Sequence, residues 1–251
     1  MKHFLFALLI SSTIPFGAAA QSSGTSTKSE FLDEDFCPLP SADGAVYRRE
    51  TAQTDRQAGV VHDYFLSGKP AQSITYENLR KHTATGVAER WYENGQLRLH
   101  REYAKDHSTS ELRTYYASGQ LKRREQYDHG KRTTGECFSP DGAPVAFYEF
   151  DVLPVYSEGA GGVGDIVGAV QRSFRYPVEA LRTHTTGRVL VAFKVTKTGE
   201  VTDIHIEQPL SAVVDAEAIR SVQQLGHFTP GRQDGEPVGV RFTVPLTLAM
   251  R

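Results

Sequence analysis

Cysteine is nearly missing from this chain. Cys37 and Cys137 are the only two among 251 residues, and two cysteines do not make a disulfide framework. Nine histidines are present, but none pair at metal-ligand spacing, and neither H-E-x-x-H nor C-x-x-C occurs. His205 and His227 therefore read as core or surface residues. No serine sits in a G-x-S-x-G setting. Asp203, Asp215 and Glu217 fall near strand and helix ends, and Asp215 and Glu217 suit the positive start of a helix. Nothing selects a catalytic pair, so the sequence points away from an enzyme and implies no cofactor and no metal. Net charge is also scarce, at −2. That excludes the electrostatic footprint of a nucleic-acid binder.

Long apolar runs are missing after the first twenty residues. Lys2 and His3 lead a mostly apolar stretch from Phe4 to Phe16, and Ala18-Ala19-Ala20 closes it. This is the layout of an export signal cleaved near residue 20. The run is shorter than a bilayer span and carries Ser11, Ser12, Thr13 and Pro15. The expected location is the periplasm. The alternative is an uncleaved inner-membrane anchor with the rest of the chain facing the periplasm.

What the chain does have is a repeat. After a polar segment, 21–35, expected to be disordered, the stretches DYFLSGKPAQSITY (63–76), RWYENGQLRLHREY (90–103) and TYYASGQLKRREQY (114–127) share one template. CFSPDGAPVAFYEF (137–150) and PSADGAVYRRE (40–50) are looser copies. The template glycines Gly44, Gly68, Gly95, Gly119 and Gly142 are spaced 24, 27, 24 and 23 apart, a period that signals stacked supersecondary units. Each unit reads as a β-hairpin: aromatics on one strand, a glycine for the positive φ of a tight turn, and a return strand starting at a residue such as Leu97 or Leu121. The region 36–150 resembles MORN-type repeats, on WYENGQL and YYASGQL above all. The resemblance implies a β-hairpin ribbon used for contact with proteins or lipids. Arg98, Arg101, Arg123, Arg124, Lys131 and Arg132 are interleaved with Glu93, Glu102, Glu111 and Glu125, so they are expected to form a solvated face. Cys37 and Cys137 lie in the first and last copies, at ends of a ribbon that cannot meet, so pairing is not expected.

GAGGVG (159–164) matches G-x-G-x-x-G. The strands expected next, 188–195 and 200–207, are joined by the tight turn TKTG, which makes them antiparallel rather than a βαβ unit. The segment 151–164 reads as a Gly-rich linker. From 165 to 251 a second module follows: helices 165–174 and 177–183, strands 188–196 and 200–208, helix 212–225, and a last strand, 238–249. The fold class is thus an α+β C-terminal domain, helices on a small three-stranded antiparallel sheet, behind an all-β hairpin-repeat ribbon.

Tyr176-Pro177-Val178-Glu179-Ala180, Gly187, Gly199, Asp215, Phe228-Thr229-Pro230-Gly231 and the stretch Val238–Leu248 make this module similar to the C-terminal domain of TonB, the energy transducer of outer-membrane uptake. Family members often carry Trp where Phe228 stands. The resemblance implies that the last strand is an open edge receiving the TonB-box peptide of an outer-membrane receptor by strand addition. On that reading Val238, Val240, Arg241, Thr243 and Pro245 offer the strand, Arg241 adds selectivity, and Arg175, Tyr176 and Pro177 flank the groove. Pro245, without an N–H, belongs on such an edge. The competing reading closes the edge by homodimerisation. A second function also stays open: an envelope structural protein using its repeats for lipid, cell-wall or protein contact, without energy transduction.

Overall fold

The computed structural model describes residues 27–159 and 162–249 of the 251. The expected signal segment, 1–20, lies outside the described residues.

One sheet of eleven strands holds the N-terminal half. Its strands are β1 (Thr27–Leu32), β2 (Pro38–Leu39), β3 (Tyr47–Gln53), β4 (Gly59–Phe65), β5 (Pro70–Asn78), β6 (Thr83–Trp91), β7 (Leu97–Tyr103), β8 (Thr109–Tyr115), β9 (Leu121–Asp128), β10 (Lys131–Phe138) and β11 (Pro144–Val145). From β3 to β11 each strand pairs antiparallel with the next, and β1 lies between β3 and β2. The template glycines Gly44, Gly68, Gly95, Gly119 and Gly142 all have φ between +72° and +89°. The last four close the expected hairpins, but Gly44 lies between β2 and β3, which do not pair because β1 is inserted between them. In four copies the turn closes identically. Tyr92 N–H donates to Gln96 O (2.9 Å) and Gly95 N–H to Tyr92 O (2.8 Å), and the same two bonds recur at Phe65, Tyr116 and Ser139. This is the short hairpin loop in which a glycine takes the left-handed position.

Because one unit spans two strands, equivalent residues sit roughly 10 Å apart along the sheet, within reach of a tyrosine. Tyr92 OH donates to Tyr115 O (2.9 Å) and Tyr116 OH to Phe138 O (2.8 Å). The second aromatic of one repeat thereby ties the turn of the next.

Within the polar segment expected to be disordered, Thr27–Leu32 start the sheet instead, and 21–26 lie outside the described residues. Thr27 to Leu32 pair with Ala52 to Tyr47, and Leu32 is fully buried. The ladder offered by β3 outweighs a polar composition. Cys37 and Cys137 are free thiols near opposite ends of the strand order.

The C-terminal domain carries α1 (Val163–Ser173), α2 (Val178–Arg182), β14 (Gly187–Val195), β15 (Val201–Gln208), α3 (Ala212–Gln223) and β19 (Val240–Leu248). The sheet order is β15-β14-β19. Alternation along β14 sends Val189, Val191, Phe193 and Val195 to one face. There they meet Ile166 and Val170 of α1 and Val214, Ala218 and Val222 of α3. The other face carries Lys194, His205, Arg241 and Thr243.

Two corrections concern the join. The expected linker is partly structured. β12 (Asp151–Val152) pairs with β17 (Gly231–Gln233), and β13 (Val155–Tyr156) pairs with β16 (Phe228–Thr229). Its Val and Tyr residues have partners in the later turns, so the apolar character of 152–156 decides. The expected last strand is broken: Val238 ends β18 (Glu236–Val238), which pairs with β17, and the edge strand starts only after Gly239. A side chain at 239 would lie 2.3 Å from Asp35 Oδ2 and 2.7 Å from Lys194 Cε, so glycine lets these two side chains meet over the backbone undisplaced.

Candidate functional site

The chain has four long-sheet edges, and they differ in what they offer. The eleven-stranded sheet ends in β2 and β11, each two residues long and each starting with proline. Short strands and proline are ways of blunting an edge. In the smaller sheet, β15 is out of register with β14 at two places, and Asp203 on it has φ +50°. That edge is bent. Beside the two-residue end strands, the outer flanks of 27–30 in β1 and 131–136 in β10 are also unpaired among the described residues, the latter with a register shift at Arg132/Thr134; β19 is the longest straight edge. It holds nine consecutive pairs with β14, from Val195↔Val240 to Gly187↔Leu248, without a register shift. Among the described residues no strand or loop backbone pairs with its outer flank. Pro245 has no N–H to give, so its position faces away from β14. Strand periodicity then sends the N–H and C=O of Arg241, Thr243 and Thr247 to the same outer side.

The expected site residues are distributed as follows. Val240, Arg241, Thr243 and Pro245 lie on β19; Val238 does not, and its backbone is committed to Gly231. Arg241 and Thr243 are exposed but reach across the sheet, Arg241 Nη2 to Asp203 Oδ2 (2.6 Å) and Thr243 Oγ1 to Glu207 Oε2 (3.2 Å). At the far end of β19 a groove of ≈ 200 Å³ runs between Phe174 and Tyr176 on one side and Leu246 to Ala249 on the other. Tyr176 OH donates to Thr185 O, which fixes the ring. Pro177 caps α2, and Arg175 N–H donates to Glu217 Oε1 (2.8 Å), so the Arg175-Tyr176-Pro177 bend is held from both sides. No group of three or more His, Cys, Asp or Glu that could hold a metal occurs among the described residues.

An acidic strap, not anticipated from the sequence, crosses the start of this edge. Asp33 and Asp35 clamp Lys194 Nζ at 2.8 and 2.6 Å, Asp35 Oδ1 accepts from Gly239 N–H (3.1 Å), and Glu34 pairs with Lys197 (2.7 Å). The run Asp33-Glu34-Asp35 was its only sequence signal. Burial alone would raise the Asp33 carboxyl. Lys194 and the N–H groups of Cys37 and Asp35 outweigh it and hold the group below the ordinary 3.8. A lowered folded pKa contributes stability that is complete above about pH 4 and is lost as the pH falls through the folded value. The amide of Cys37, which donates to Asp33 Oδ1 (2.8 Å), should therefore keep its resonance above about pH 4 and shift as Asp33 is protonated below it. A resonance unmoved down to the unfolding pH would contradict this.

The two halves are joined by a hairpin tip. Asp234, in the β17–β18 turn, accepts from Arg123 Nε (2.8 Å) and Thr114 Oγ1 (2.8 Å) and lies 3.3 Å from Lys122 Nζ. Arg123 is fully buried, pairs with Glu125 and stacks on Tyr148 with its guanidinium 4.5 Å from the ring centre. The basic residues expected on one solvated face are thus divided: Arg123 and Arg101 turn inward, onto Asp234 and Phe150, while Arg98, Arg124, Lys131 and Arg132 stay exposed. Charge on both faces of the strands hid the division.

Residues 172–247 match the family model described as the Gram-negative bacterial TonB protein C-terminal, and residues 84–105 and 109–129 each match the MORN repeat variant. The two MORN matches fall on the β6–β7 and β8–β9 hairpins. No curated protein and no solved structure matches the chain. No helix among the described residues is long and apolar enough to cross a membrane.

Proposed function

We propose that the chain is an envelope protein whose TonB-like C-terminal domain docks an extended peptide of an outer-membrane receptor along the outer flank of β19, in association with TonB-dependent transport. The observation that carries this is the contrast among edges: β19 has nine residues in unbroken register while β2, β11 and β15 are blunted or bent. The TonB C-terminal match over 172–247 supports it independently. Main-chain hydrogen bonds would supply affinity, each worth about 1 kcal/mol net. Phe174 and Tyr176 would receive an apolar side chain at one end of the peptide, and the Arg175–Pro177 bend would set its direction. The role is binding, not catalysis, and the expected location is the periplasmic side of the envelope.

The test is titration of the mature chain with a labelled receptor-box peptide, beside a Thr243→Pro variant. Proline at 243 removes one outward N–H and leaves the β14 ladder intact. Expected is saturable binding to the parent chain and a loss of at least about tenfold in the variant, with an unchanged melting curve. No binding at millimolar peptide, or equal binding to T243P, would rule the proposal out. Capture of lipid or cell wall instead would favour the structural reading of the repeats.

A further inference from the structure

Arg101 and Arg90 share a recess on the inner face of the eleven-stranded sheet, and neither has a carboxylate partner there. Arg90 donates only to neutral amide oxygens, Nε to Gln72 Oε1 (2.5 Å) and Nη1 to Gln233 Oε1 (3.0 Å), and its guanidinium lies over Phe36. Arg101 makes no hydrogen bond or ion pair among the described residues; its Nε is buried without a partner, and its guanidinium sits 5.2 Å from the centre of the Phe150 ring. Burial, then Arg101 and Arg98, push the Arg90 guanidinium down. The nearby acids are engaged elsewhere: Glu89 with His100, Asp63 with Arg49 and Gln72, Asp234 with Arg123. A small recess of ≈ 50 Å³, open to solvent, lies between these arginines, with Ile74, Leu99, Tyr103 and Phe150 on its walls.

The repeat shows what is missing. Counting 24 residues on from Arg101 and Tyr103 reaches Glu125 and Tyr127. There Tyr127 OH donates to the Glu125 carboxylate, which also meets Arg123. Elsewhere on the same face Arg49 grips Asp63 through both Nε (2.7 Å) and Nη2 (2.9 Å). Where its neighbours hold a carboxylate, the Arg101 unit holds none. An unpaired guanidinium in a recess is costly, and a planar anion is the group that matches its fork.

We infer that this recess is a binding site for a small free carboxylate carried on a planar apolar stem, with Arg101 and Arg90 as the charge partners and Tyr103 as a hydroxyl donor. The site is separate from β19 and does not depend on how that edge is used.

The experiment titrates the mature chain with benzoate and follows the arginine Nε–Hε resonances, with benzamide and inorganic phosphate in parallel. Benzamide has the same shape without the charge. Expected is a saturable shift of the Arg101 resonance with benzoate, and at least about tenfold weaker binding of benzamide. Arg101→Gln should abolish the shift at Arg90, while Arg124→Gln, on the outer face beside Glu136, should leave it. Equal binding of benzamide, tighter binding of phosphate, or an undiminished response in R101Q would each overturn the assignment. The comparison of benzoate with benzamide uses the unaltered protein, so it stands even if a variant fails to fold.

Discussion

Asp234→Ala is expected to lower stability by about 3 kcal/mol, at the lower end of the range for breaking a buried ion pair. The carboxylate is the acceptor for Arg123 Nε and Thr114 Oγ1 and the nearest counter-charge to Lys122. Alanine leaves Arg123 with Glu125 and the Tyr148 carbonyl (2.9 Å), so that charge is not stranded completely. Lys122, with a side chain only 9 % exposed, keeps just Glu236 at 3.4 Å. The backbone bond from Asp234 N–H to Phe150 O (2.6 Å) survives in principle, but the tip has lost its anchor. The measurement is the urea midpoint and its slope. A fall in midpoint accompanied by a split transition would mean that the two halves melt separately once the tip is released. Asp234→Asn should fall between, since it keeps the acceptor for Thr114 and loses the charge. A change below about 1 kcal/mol for D234A would show that the tip rests on the sheet without holding it.

Phe228→Ala is the second large effect, expected at about 3–5 kcal/mol. Phe228 is fully buried, and its ring centre lies 5.2 Å from that of Tyr156 at an interplanar angle of 49°. The backbone around it cannot relax inward. Phe228 N–H donates to Gly199 O (3.0 Å), and Gly199, at φ +86°, passes so close that a side chain there would lie 1.9 Å from Phe228 O. A cavity left by the ring would therefore stay open, the condition under which truncation is most costly. Phe228→Trp tests the same pocket from the other direction. The resembled family often has Trp here, but with the Gly199 turn and Tyr156 already in contact, the larger ring is expected to cost about 1–3 kcal/mol. Thermal unfolding of both variants checks the pair. A Trp variant more stable than the parent would mean that the pocket has room the contacts do not suggest.

Much of this architecture was legible because local chemistry and global position agree. A glycine every two dozen residues requires a turn wherever the chain ends up, so the hairpins at Gly68, Gly95, Gly119 and Gly142 could be placed from their own copies, while Gly44 turns the chain between strands that do not pair. The change from helical to alternating spacing around Gly187 marked the start of β14 for the same reason. What could not be read depends on partners distant in sequence. In QLRLHREY both alternating sets carry charge, so parity did not reveal that Leu99 and Arg101 face inward while His100 pairs outward with Glu89 and Glu102. Asp234 looked like any turn acid until a basic sheet stood opposite it. Thr27 to Leu32 looked too polar to order, because a strand on a ladder needs little apolar surface of its own. The edge was legible as a strand but not in its start: Gly239 separates two sheets, and only the crowding by Asp35 and Lys194 shows why.

The blunted and bent margins have a consequence for stoichiometry. With one edge longer than every other, β19 sets a principal valence of one. If two copies meet through β19, each occupies the other's longest edge and the symmetric pair closes on itself. Foreign peptide and sister copy would then compete for one seat, and the chain's own concentration would set how often that seat is vacant.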